Sequence, residues 1–390
     1  MVGAGPAGST TAREAASRGA SVILLDRATF PRDKPCGGGV TIRCANLLPF
    51  SIEPVVEDVI TGARLKIRGG REQVRDAEQP LTYMTQRRHL DAFLVEQAQA
   101  AGAEFRDGEP VTEVRAHPDR TYTVGTRSVE ILTRVVIGAD GANGVVGNRL
   151  GYEAAASAAV ALEGNHVYPD GVPDRWKHRV ALHFGRYPGG YGWVFPKGDH
   201  VNVGVGGWKH AMGPRLREHL DAFCRTYGFE MDRLEQLRGH HLPMQRRGMV
   251  MAAQGSAVVG DAAGLVDPLS GEGIYAALAS GTAIGPVIED YLAGRVSSLR
   301  EYQAVLERGL MREVDASTAL MDIFHAWPDP FVWMLGHSGR FWQGGVDLLR
   351  GDATYEDLTY SFGRPGHALL KPASAIGRFI TARRLRATER

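Results

Sequence analysis

The chain has 390 residues, 44% hydrophobic and 23% charged, with a formal net charge of +1, which is the composition of an ordinary globular protein of two or three structural units. The near-neutral charge gives no reason to expect a nucleic-acid partner, and three scattered cysteines exclude a disulfide framework and a zinc or iron–sulfur centre and favour a reducing compartment. The sequence shows no signal peptide and no apolar run of about 18 residues, so we expect a cytoplasmic protein without a transmembrane helix.

The first predicted unit is a glycine-rich turn followed by a helix, a strand and an acidic residue. Residues 3–8 form the pattern G-x-G-x-x-G, a helix is predicted from Ser9 to Arg18, and a strand from Ser21 to Leu25 ends at Asp26. In this order the pattern is typical of a dinucleotide site. The glycines let a pyrophosphate approach the helix N-terminus, and Asp26 would hold the adenosine ribose.

The strand expected before this glycine turn is short. Only Met1 and Val2 precede the first glycine, whereas such a strand usually has about five or six residues. A parallel sheet without its first central strand should be unstable. We therefore expect a start codon assigned too far downstream, rather than a chain that naturally lacks the strand.

A glycine triplet follows the segment Lys34-Pro35-Cys36. Residues 37–39 carry no side-chain bulk, so a planar ligand could lie against this loop. Arg32 and Lys34 offer positive charge to a phosphate or a substrate. The same triplet is also compatible with a flexible, solvated loop, and the residues leave both interpretations open.

The segment from 55 to 155 alternates strands and a helix. Strands are predicted at 63–67 and 81–84, an amphipathic helix from Arg87 to Ala98, and further strands from 111 to 137. The last apolar run ends in a glycine and acid turn at Asp140. Turns of this kind also end at Asp26 and Asp261, and three of them in one small-molecule site require a long ligand.

Residues 158–207 have a period of two, which predicts antiparallel strands with one buried face. Apolar residues alternate in 180–184 and in 201–205. Between these segments, Tyr191, Trp193 and Phe195 occupy positions i, i+2 and i+4 and so share one side of a strand. That side is either the core of a sheet or the wall of an apolar pocket.

The segment 260–273 places an acidic residue and several glycines between a short apolar run and a helix predicted from Ile274 to Ala293. A carboxylate at a strand end can accept hydrogen bonds from a sugar-like hydroxyl. The helix start favours negative charge. The segment therefore predicts a ligand that is polyhydroxylated and partly anionic.

The C-terminal part is predicted to be helical. We expect a helix over Ile284 to Leu310, and aromatic helices between 320 and 358 that cap a core or a lipid-like ligand. The tail after residue 363 combines basic and apolar residues. It is interpreted either as a membrane-surface helix or as a frayed, solvated terminus.

Together these motifs resemble the geranylgeranyl reductase family, a branch of the FAD-dependent oxidoreductases with the p-hydroxybenzoate hydroxylase fold. The FAD motifs indicate the superfamily, and the segments 34–39 and 191–196 narrow it to the reductase branch. We therefore expect an α/β fold, α+β overall, with a Rossmann-like FAD-binding domain, an antiparallel-sheet substrate domain, a C-terminal helical region and a basic tail. The expected bounds, in that order, are 1–55 with 86–155 and 245–300, then 56–85 with 156–244, then 301–362, then 363–390.

The resemblance also implies roles for single residues. Those implied to contact FAD are Gly3, Gly5, Ala7, Gly8, Asp26, Arg27, Arg87, Asp140, Gly260, Asp261, Pro268, Gly271, Glu272 and Gly273. Cys36 and Gly38 would face the flavin as catalytic residues, Cys36 as a proton donor or positioning group, although a small buried residue explains Cys36 equally well. Tyr191, Trp193 and Phe195 would wall a prenyl pocket.

The implied activity is reduction of C=C bonds in a polyprenyl substrate, namely a prenyl diphosphate, a prenylated lipid or a menaquinone tail, by hydride from reduced FAD. An aromatic monooxygenase using NAD(P)H and O₂ shares the FAD motifs and stays open, as does a flavin protein without turnover. The electron donor is NAD(P)H or a ferredoxin-like protein. Where the superfamily usually has Ser and Arg after Asp140, this chain has Gly144 and Gly147, and Arg149 is the candidate substitute. Expected partners are a hydrophobic isoprenoid and, through the tail, a membrane surface; the oligomeric state is left open.

Overall fold

A computed structural model of the chain describes residues 1–152, 156–244, 248–360 and 363–388, and leaves the side chains of 156–157, 363–367 and 384–388 undescribed. The strands are β1 Ile23–Leu25, β2 Gly39–Thr41, β3 Val56–Ile60, β4 Gly62–Ile67, β5 Gln73–Asp76, β6 Thr82–Thr85, β7 Glu104–Arg106, β8 Glu113–Ala116, β9 Tyr122–Gly125, β10 Glu130–Thr133, β11 Val136–Gly138, β12 Ala156–Val167, β13 Arg179–Phe184, β14 Tyr191–Pro196, β15 His200–Trp208, β16 Glu235–Met244 and β17 Ser256–Val258. The α-helices are α1 Pro6–Ser17, α2 Ile42–Ala45, α3 Arg87–Ala100, α4 Val145–Leu150, α5 Lys209–Met212, α6 Leu216–Tyr227, α7 Ile274–Leu292, α8 Arg300–Arg308, α9 Leu310–Ala326, α10 Pro328–His337, α11 Gly339–Arg350, α12 Tyr355–Tyr360 and α13 Gly363–Thr388.

Short parallel strands form the centre of the first unit. β1 pairs with β7 and β11 pairs with β17, both in parallel. Val2 bridges Leu25 on one side and Gly138 on the other, so the first residues occupy the position between these two pairs. The apolar residues of β11 and β17 are buried, as are Leu24 and Leu25 of β1, which is expected for a parallel sheet covered on both faces; Phe105 of β7, at the edge, is half-buried.

Helix α7 packs closely against α1, the first helix of the chain. A Cβ on Gly281 of α7 would lie 2.9 Å from the carbonyl oxygen of Ala7, and a Cβ on Gly285 would lie 2.6 Å from the Cβ of Glu14. Glycine at both positions therefore lets α7 approach α1 at backbone distance. This contact places the beginnings of α1 and α7 side by side at the edge where the strands end.

The second unit is a seven-stranded sheet in the order β16-β12-β15-β14-β13-β4-β5. It is antiparallel except for the β13–β4 pair. Val201, Val203 and Val205 are fully buried on the face that α6 covers, but Asn202 and Gly204 on the other face are buried as well, so β15 does not have the single buried face that was predicted. A smaller sheet, β2-β6-β3, lies between the two units in the chain. The expected α/β class, with a Rossmann-like unit and a largely antiparallel sheet, is confirmed.

Two further predictions of local structure are wrong. In β13 the fully buried residues are Ala181 and His183, and the apolar residues at 180, 182 and 184 are half-buried, because α9 to α11 cover the second face of the sheet there. The predicted helix from Ile284 to Leu310 is broken between α7 and α8. Gly294 adopts φ +73° and ends α7 in the left-handed conformation that favours glycine.

The aromatic C-terminal helices cap the second sheet. Phe324 of α9 makes an edge-to-face contact with Phe184, with ring centroids 5.5 Å apart. α13 packs on α9, where Ser374 and Arg378 both donate hydrogen bonds to Asp322 at 2.6 and 2.7 Å. Within the described ranges, no helix combines the length and the apolar character needed to span a bilayer. The last arginines of the basic tail, from residue 384 on, lie outside the described side chains.

Candidate active site

An apolar cavity of ≈ 180 Å³ lies where the two units meet. Its lining includes the turns that follow Val2, β11 and β17, at one end of the parallel strands, and one face of the antiparallel sheet. The predicted site residues that line it are Gly5, Ala7, Cys36, Arg87, Tyr191, Trp193, Phe195, Asp261, Pro268, Gly271 and Gly273. Segments more than 200 positions apart in the sequence therefore form one site.

The glycine turn presents the start of α1 to this cavity. Gly3 has φ +96°, and a Cβ on Gly8 would overlap the Gly3 carbonyl oxygen, so these two glycines allow the turn and the packing of the helix. Gly5 lies beside two cations, since a Cβ there would make ordinary contacts of 3.7 Å with guanidinium nitrogens of both Arg32 and Arg87. No side chain caps the helix at Gly5, which leaves its first N–H groups for an anion.

Asp26 supports this turn from the end of β1. Its carboxylate accepts hydrogen bonds from the Ala4 N–H at 2.8 Å and the Ala28 N–H at 2.9 Å. Arg32 Nη2 lies 3.9 Å from the same carboxylate. Asp26 is buried and does not line the cavity; the neighbouring Arg27 is exposed.

Arg87 is held rigidly at the start of α3. Its guanidinium donates two hydrogen bonds of 2.7 Å to Asp91, one turn further along the helix. Arg32 Nη1 lies 2.8 Å from the same carboxylate. Asp91 is fully buried and fixes both guanidinium groups beside Gly5. The sequence analysis missed Asp91, although its i+4 spacing from Arg87 was a visible signal.

Asp261 is the ionised acid of the cavity. Burial opposes its charged form, yet Lys34 Nζ at 3.4 Å and His240 Nε2 at 3.7 Å hold the pKa of this carboxyl well below its ordinary value. Gly260, with φ +56°, donates its N–H to Ser280 of α7 at 3.0 Å and so fixes the turn. A carboxylate anchored in this way is a hydrogen-bond acceptor for ligand hydroxyls.

The loop 267–273 forms the floor of the cavity beside the start of α7. Asp267 accepts hydrogen bonds from the Ser270 N–H at 2.7 Å and the Tyr355 hydroxyl at 3.1 Å. The Tyr191 hydroxyl donates to the Ser270 carbonyl at 2.6 Å, which ties the aromatic strand to this floor. Glu272 does not line the cavity and instead accepts from the Thr41 hydroxyl at 3.2 Å. Burial raises the pKa of Glu272 to about 7.

The glycine triplet is packed and not solvated. A Cβ on Gly37 would lie 2.7 Å from the ring of Phe195. Gly38 has φ +74° and is buried against the backbone of Thr85, whose N–H and hydroxyl both donate to the Gly38 carbonyl at 2.8 and 3.0 Å. The loop therefore holds Cys36 at the cavity wall.

The aromatic strand faces the cavity and not the core of its sheet. Strand pairing puts Tyr191, Trp193 and Phe195 on the face that carries glycines of β15, and Gly204 leaves room for the ring of Trp193. The Trp193 indole N–H donates to Asn202 at 2.7 Å. Of the two interpretations left open by the sequence, the geometry favours the pocket wall.

Asp140 lies close to the site but not in it. Its carboxylate accepts the N–H groups of Val145 at 2.6 Å and Val146 at 3.0 Å and thereby caps α4. Burial raises the pKa of Asp140. Arg149 donates to the Thr112 carbonyl at 3.3 Å and does not line the cavity either. Asp140 therefore has a structural role as the cap of α4, and neither Asp140 nor Arg149 contacts the cavity.

These features fit FAD. An uncapped helix start beside two guanidinium groups suits a pyrophosphate, the anchored Asp261 suits ribityl hydroxyls, and the apolar walls between loop 36–38 and loop 267–273 suit a flat ring. The family model of the FAD binding domain matches residues 1–304. The chain is therefore an FAD-dependent oxidoreductase.

Comparison with known proteins narrows the class. The chain is 35% identical over 332 residues to geranylgeranyl diphosphate reductase of Rhodobacter capsulatus, covering 80% of this chain and 79% of that protein. It is 32% identical over 315 residues to menaquinone reductase of Mycobacterium tuberculosis, covering 74% and 76%. The structure of a geranylgeranyl bacteriochlorophyll reductase-like protein from Thermoplasma acidophilum superposes with a TM-score of 0.76 at 24% identity, over 89% of this chain and 94% of that one. The chain belongs to the geranylgeranyl reductase family of FAD-dependent oxidoreductases, as the sequence motifs indicate.

Proposed function

We propose that this protein reduces C=C bonds of an isoprenoid. Relatives of the chain are named geranylgeranyl diphosphate reductase and menaquinone reductase, and this supports the proposal. The observation that carries the proposal is the cavity itself, in which an aromatic wall and the Cys36 loop stand opposite the loop 267–273. An unactivated alkene has no polar group to orient it, so an apolar, closely fitting wall must hold its reacting carbons in register. Tyr191, Trp193 and Phe195 supply that wall.

Each part of the cavity wall has a separate role in the proposed reaction. When bound, reduced FAD supplies a hydride equivalent to one alkene carbon. Cys36 lines the cavity and is the candidate donor of the proton to the other carbon. The start of α7 directs its partial positive charge toward the ring end of the cavity and favours a reduced, anionic flavin there. The glycines 37 and 38 keep Cys36 close to the wall without side-chain bulk.

The decisive experiment separates this activity from that of a monooxygenase. The FAD-loaded protein is reduced chemically without O₂ and mixed with geranylgeranyl diphosphate, a geranylgeranylated glycerophospholipid, menaquinone or a phenol. Reoxidation by a prenyl compound, with a product two mass units heavier whose two added hydrogens lie in the prenyl chain and not on a quinone ring, supports the proposal. Reoxidation only with O₂ and a phenol would identify an aromatic hydroxylase. Supplying NADPH or reduced ferredoxin in place of the chemical reductant then assigns the electron donor.

Cys36 is tested with a matched variant. Cys36→Ala should slow the reoxidation step at least tenfold, since the proton donor is lost, while FAD content stays unchanged. Cys44→Ala is the control, because Cys44 is fully buried away from the cavity. Equal rates in Cys36→Ala and the unmodified protein would assign Cys36 a packing role only.

We further propose that α13 contacts a membrane surface that holds the lipid substrate. Leu369, Ile376 and Phe379 are 63%, 54% and 68% exposed and lie on one side of the helix. Lys371 and Arg383 are exposed beside them. Apolar side chains flanked by cations suit an anionic lipid interface.

Vesicle flotation tests this surface. The protein should float with vesicles containing anionic lipid and less with neutral ones, and Phe379→Glu should abolish flotation. Leu132→Glu is the control, since Leu132 is 69% exposed on β10, away from α13. Unchanged flotation of Phe379→Glu, or equal loss in the control, would remove α13 as the contact.

A further inference from the structure

A buried acid and a buried base lie outside every FAD motif. Glu163 of β12 and Lys197, just after β14, are 8% and 5% exposed. In the strand register Glu163 pairs with Gly204, and Gly204 pairs with Trp193, so Glu163 points to the same face as the aromatic wall. Lys197 continues the alternation of Tyr191, Trp193 and Phe195 by one step.

Both side chains reach the Cys36 loop. The Glu163 carboxyl lines the apolar cavity together with Cys36, and the backbone N–H of Cys36 and the side chain of Asn202 favour its charged form. Lys197 Nζ lies 2.5 Å from the position that a Cβ on Gly38 would take. Asn202 also accepts from the Trp193 indole at 2.7 Å. The acid thus lies beside both the loop and the aromatic wall of the cavity.

Glu163 stands between two cavities. On one side is the apolar cavity of ≈ 180 Å³, and on the other a polar cavity of ≈ 350 Å³ that opens between the loop 33–36, α3 and the ends of β12 and β14. Cys36, Arg87 and Glu163 line both of them. A carboxyl group in such a wall can exchange protons with water on the polar side and with Cys36 on the apolar side.

We propose that Glu163, assisted by Lys197, relays protons from the polar cavity to Cys36, an inference that rests on the proposed reductase function. In each turnover two C–H bonds form and the π bond breaks. The hydride and its two electrons come from the reduced flavin, which is oxidised, and the proton comes from the Cys36 S–H. The resulting thiolate takes a proton from the Glu163 carboxyl, and the carboxylate takes one from water in the polar cavity. Glu163 is therefore a positioning residue that acts through Cys36.

The charges around Glu163 set the pH at which this relay works. Burial raises the pKa of Glu163 to about 7, partly offset by Lys197, while burial lowers the pKa of Lys197. The titratable and charged groups that share its cavities come from the loop 33–36, α3, β14 and the turn after it, β15, β16 and the turn after β17. They are Asp33, Lys34, Cys36, Arg87, Arg88, His89, Tyr191, Lys197, Asp199, His200, Glu235, Arg238, His240 and Asp261. Since the protonated carboxyl is the active form, the rate of proton delivery should fall as pH rises through about 7.

The test compares Glu163→Gln with Glu235→Gln, a control on an exposed carboxylate that lines only the polar cavity. Reoxidation of the reduced enzyme by a prenyl substrate is followed from pH 5 to 9, with FAD content measured in parallel. Infrared titration of the same proteins without substrate monitors the protonated carboxyl band. We expect Glu163→Gln to be at least tenfold slower, with no inflection near neutrality and with the corresponding infrared band lost. Glu163→Asp should restore part of the rate and an inflection.

The outcomes separate the relay from the reaction. If the unmodified protein is not reoxidised by any prenyl compound, the proposed function fails. If it is reoxidised and Glu163→Gln keeps its rate and pH profile, the relay is overturned. Glu272 also has a pKa raised to about 7 and contributes a near-neutral carboxyl band in every variant. A band that is as strong in Glu163→Gln as in the unmodified protein therefore also overturns the relay. Should Glu163→Gln not fold, Glu163→Asp and the pH profile of the unmodified protein decide: a rate that does not fall between pH 6 and 8 contradicts the relay.

Discussion

Replacement of Gly38 by alanine should damage both the fold and the site. The added Cβ would overlap the Thr85 carbonyl oxygen and lie 2.5 Å from Lys197 Nζ, in a backbone with φ +74°. A left-handed conformation costs a residue other than glycine about 1–2 kcal/mol, and overpacking a tight site about 1–3 kcal/mol. The loop cannot relax freely, because the Gly38 carbonyl accepts two hydrogen bonds from Thr85. The expected loss in the free energy of unfolding is about 2–5 kcal/mol.

Urea unfolding and substrate-driven flavin reoxidation measure the two effects separately. Gly69→Ala is the matched control, since Gly69 is exposed and a Cβ there meets nothing within 4 Å. If the loop in Gly38→Ala escapes the overlap by moving, stability recovers in part but reoxidation falls with the displacement of Cys36. A Gly38→Ala protein that matches Gly69→Ala in both stability and reoxidation rate would refute the packing described for this loop.

Three further predictions follow from the same contacts. Asp26→Ala leaves the Ala4 N–H without its acceptor, a loss of about 1–3 kcal/mol, and should lower FAD affinity at least tenfold, as measured by FAD fluorescence during dialysis. Trp193→Phe leaves the buried Asn202 oxygen unpaired and should cost about 1–3 kcal/mol in the free energy of unfolding, measured in urea. Burial lowers the pKa of His325 in the folded protein to about 4, whereas in the unfolded chain it stays near its ordinary value. Between pH 6.5 and 4 the unfolded chain therefore binds a proton that the folded protein does not, and the free energy of unfolding should fall by up to about 3 kcal/mol over this range. Thermal unfolding at each pH measures this loss.

Each of these has a control and a contrary result. Asp174→Ala is the control for Asp26→Ala, because the Asp174 side chain is 95% exposed. Equal FAD affinity in the two variants would contradict the role of Asp26 in holding the glycine turn. Trp333→Phe, at a position that is 58% exposed, is the control for Trp193→Phe. Equal stability of the two variants would show that the hydrogen bond of the Trp193 indole contributes nothing to the free energy of unfolding. His325→Leu should flatten the pH dependence; an unchanged slope assigns it to other groups.

The sequence was most informative where one short segment carries a whole feature. The turn at residues 3–8, the aromatic alternation at 191–195 and the helix after Gly273 depend on local spacing, and the structure has them. The contact between Glu163 and the Cys36 loop depends on the register of β12 against β15, which no local pattern specifies. For the same reason the burial of Ala181 was not foreseen, since it depends on the packing of α6, which comes later in the chain, against this face of β13.

The position of residues 156–244 between two paired strands affects how the chain folds. β11 and β17 must pair in parallel, yet residues 156–244 lie between them, and Ala156 is the cross-strand neighbour of Met244. Once this insertion forms around its own core, the loop that β17 must close shrinks about fourfold, from ~118 to ~30 residues, which reduces the entropic cost by about 1 kcal/mol. The seven-stranded sheet thus holds together the two chain segments that build the flavin site, and flavin binding should be the final event of folding.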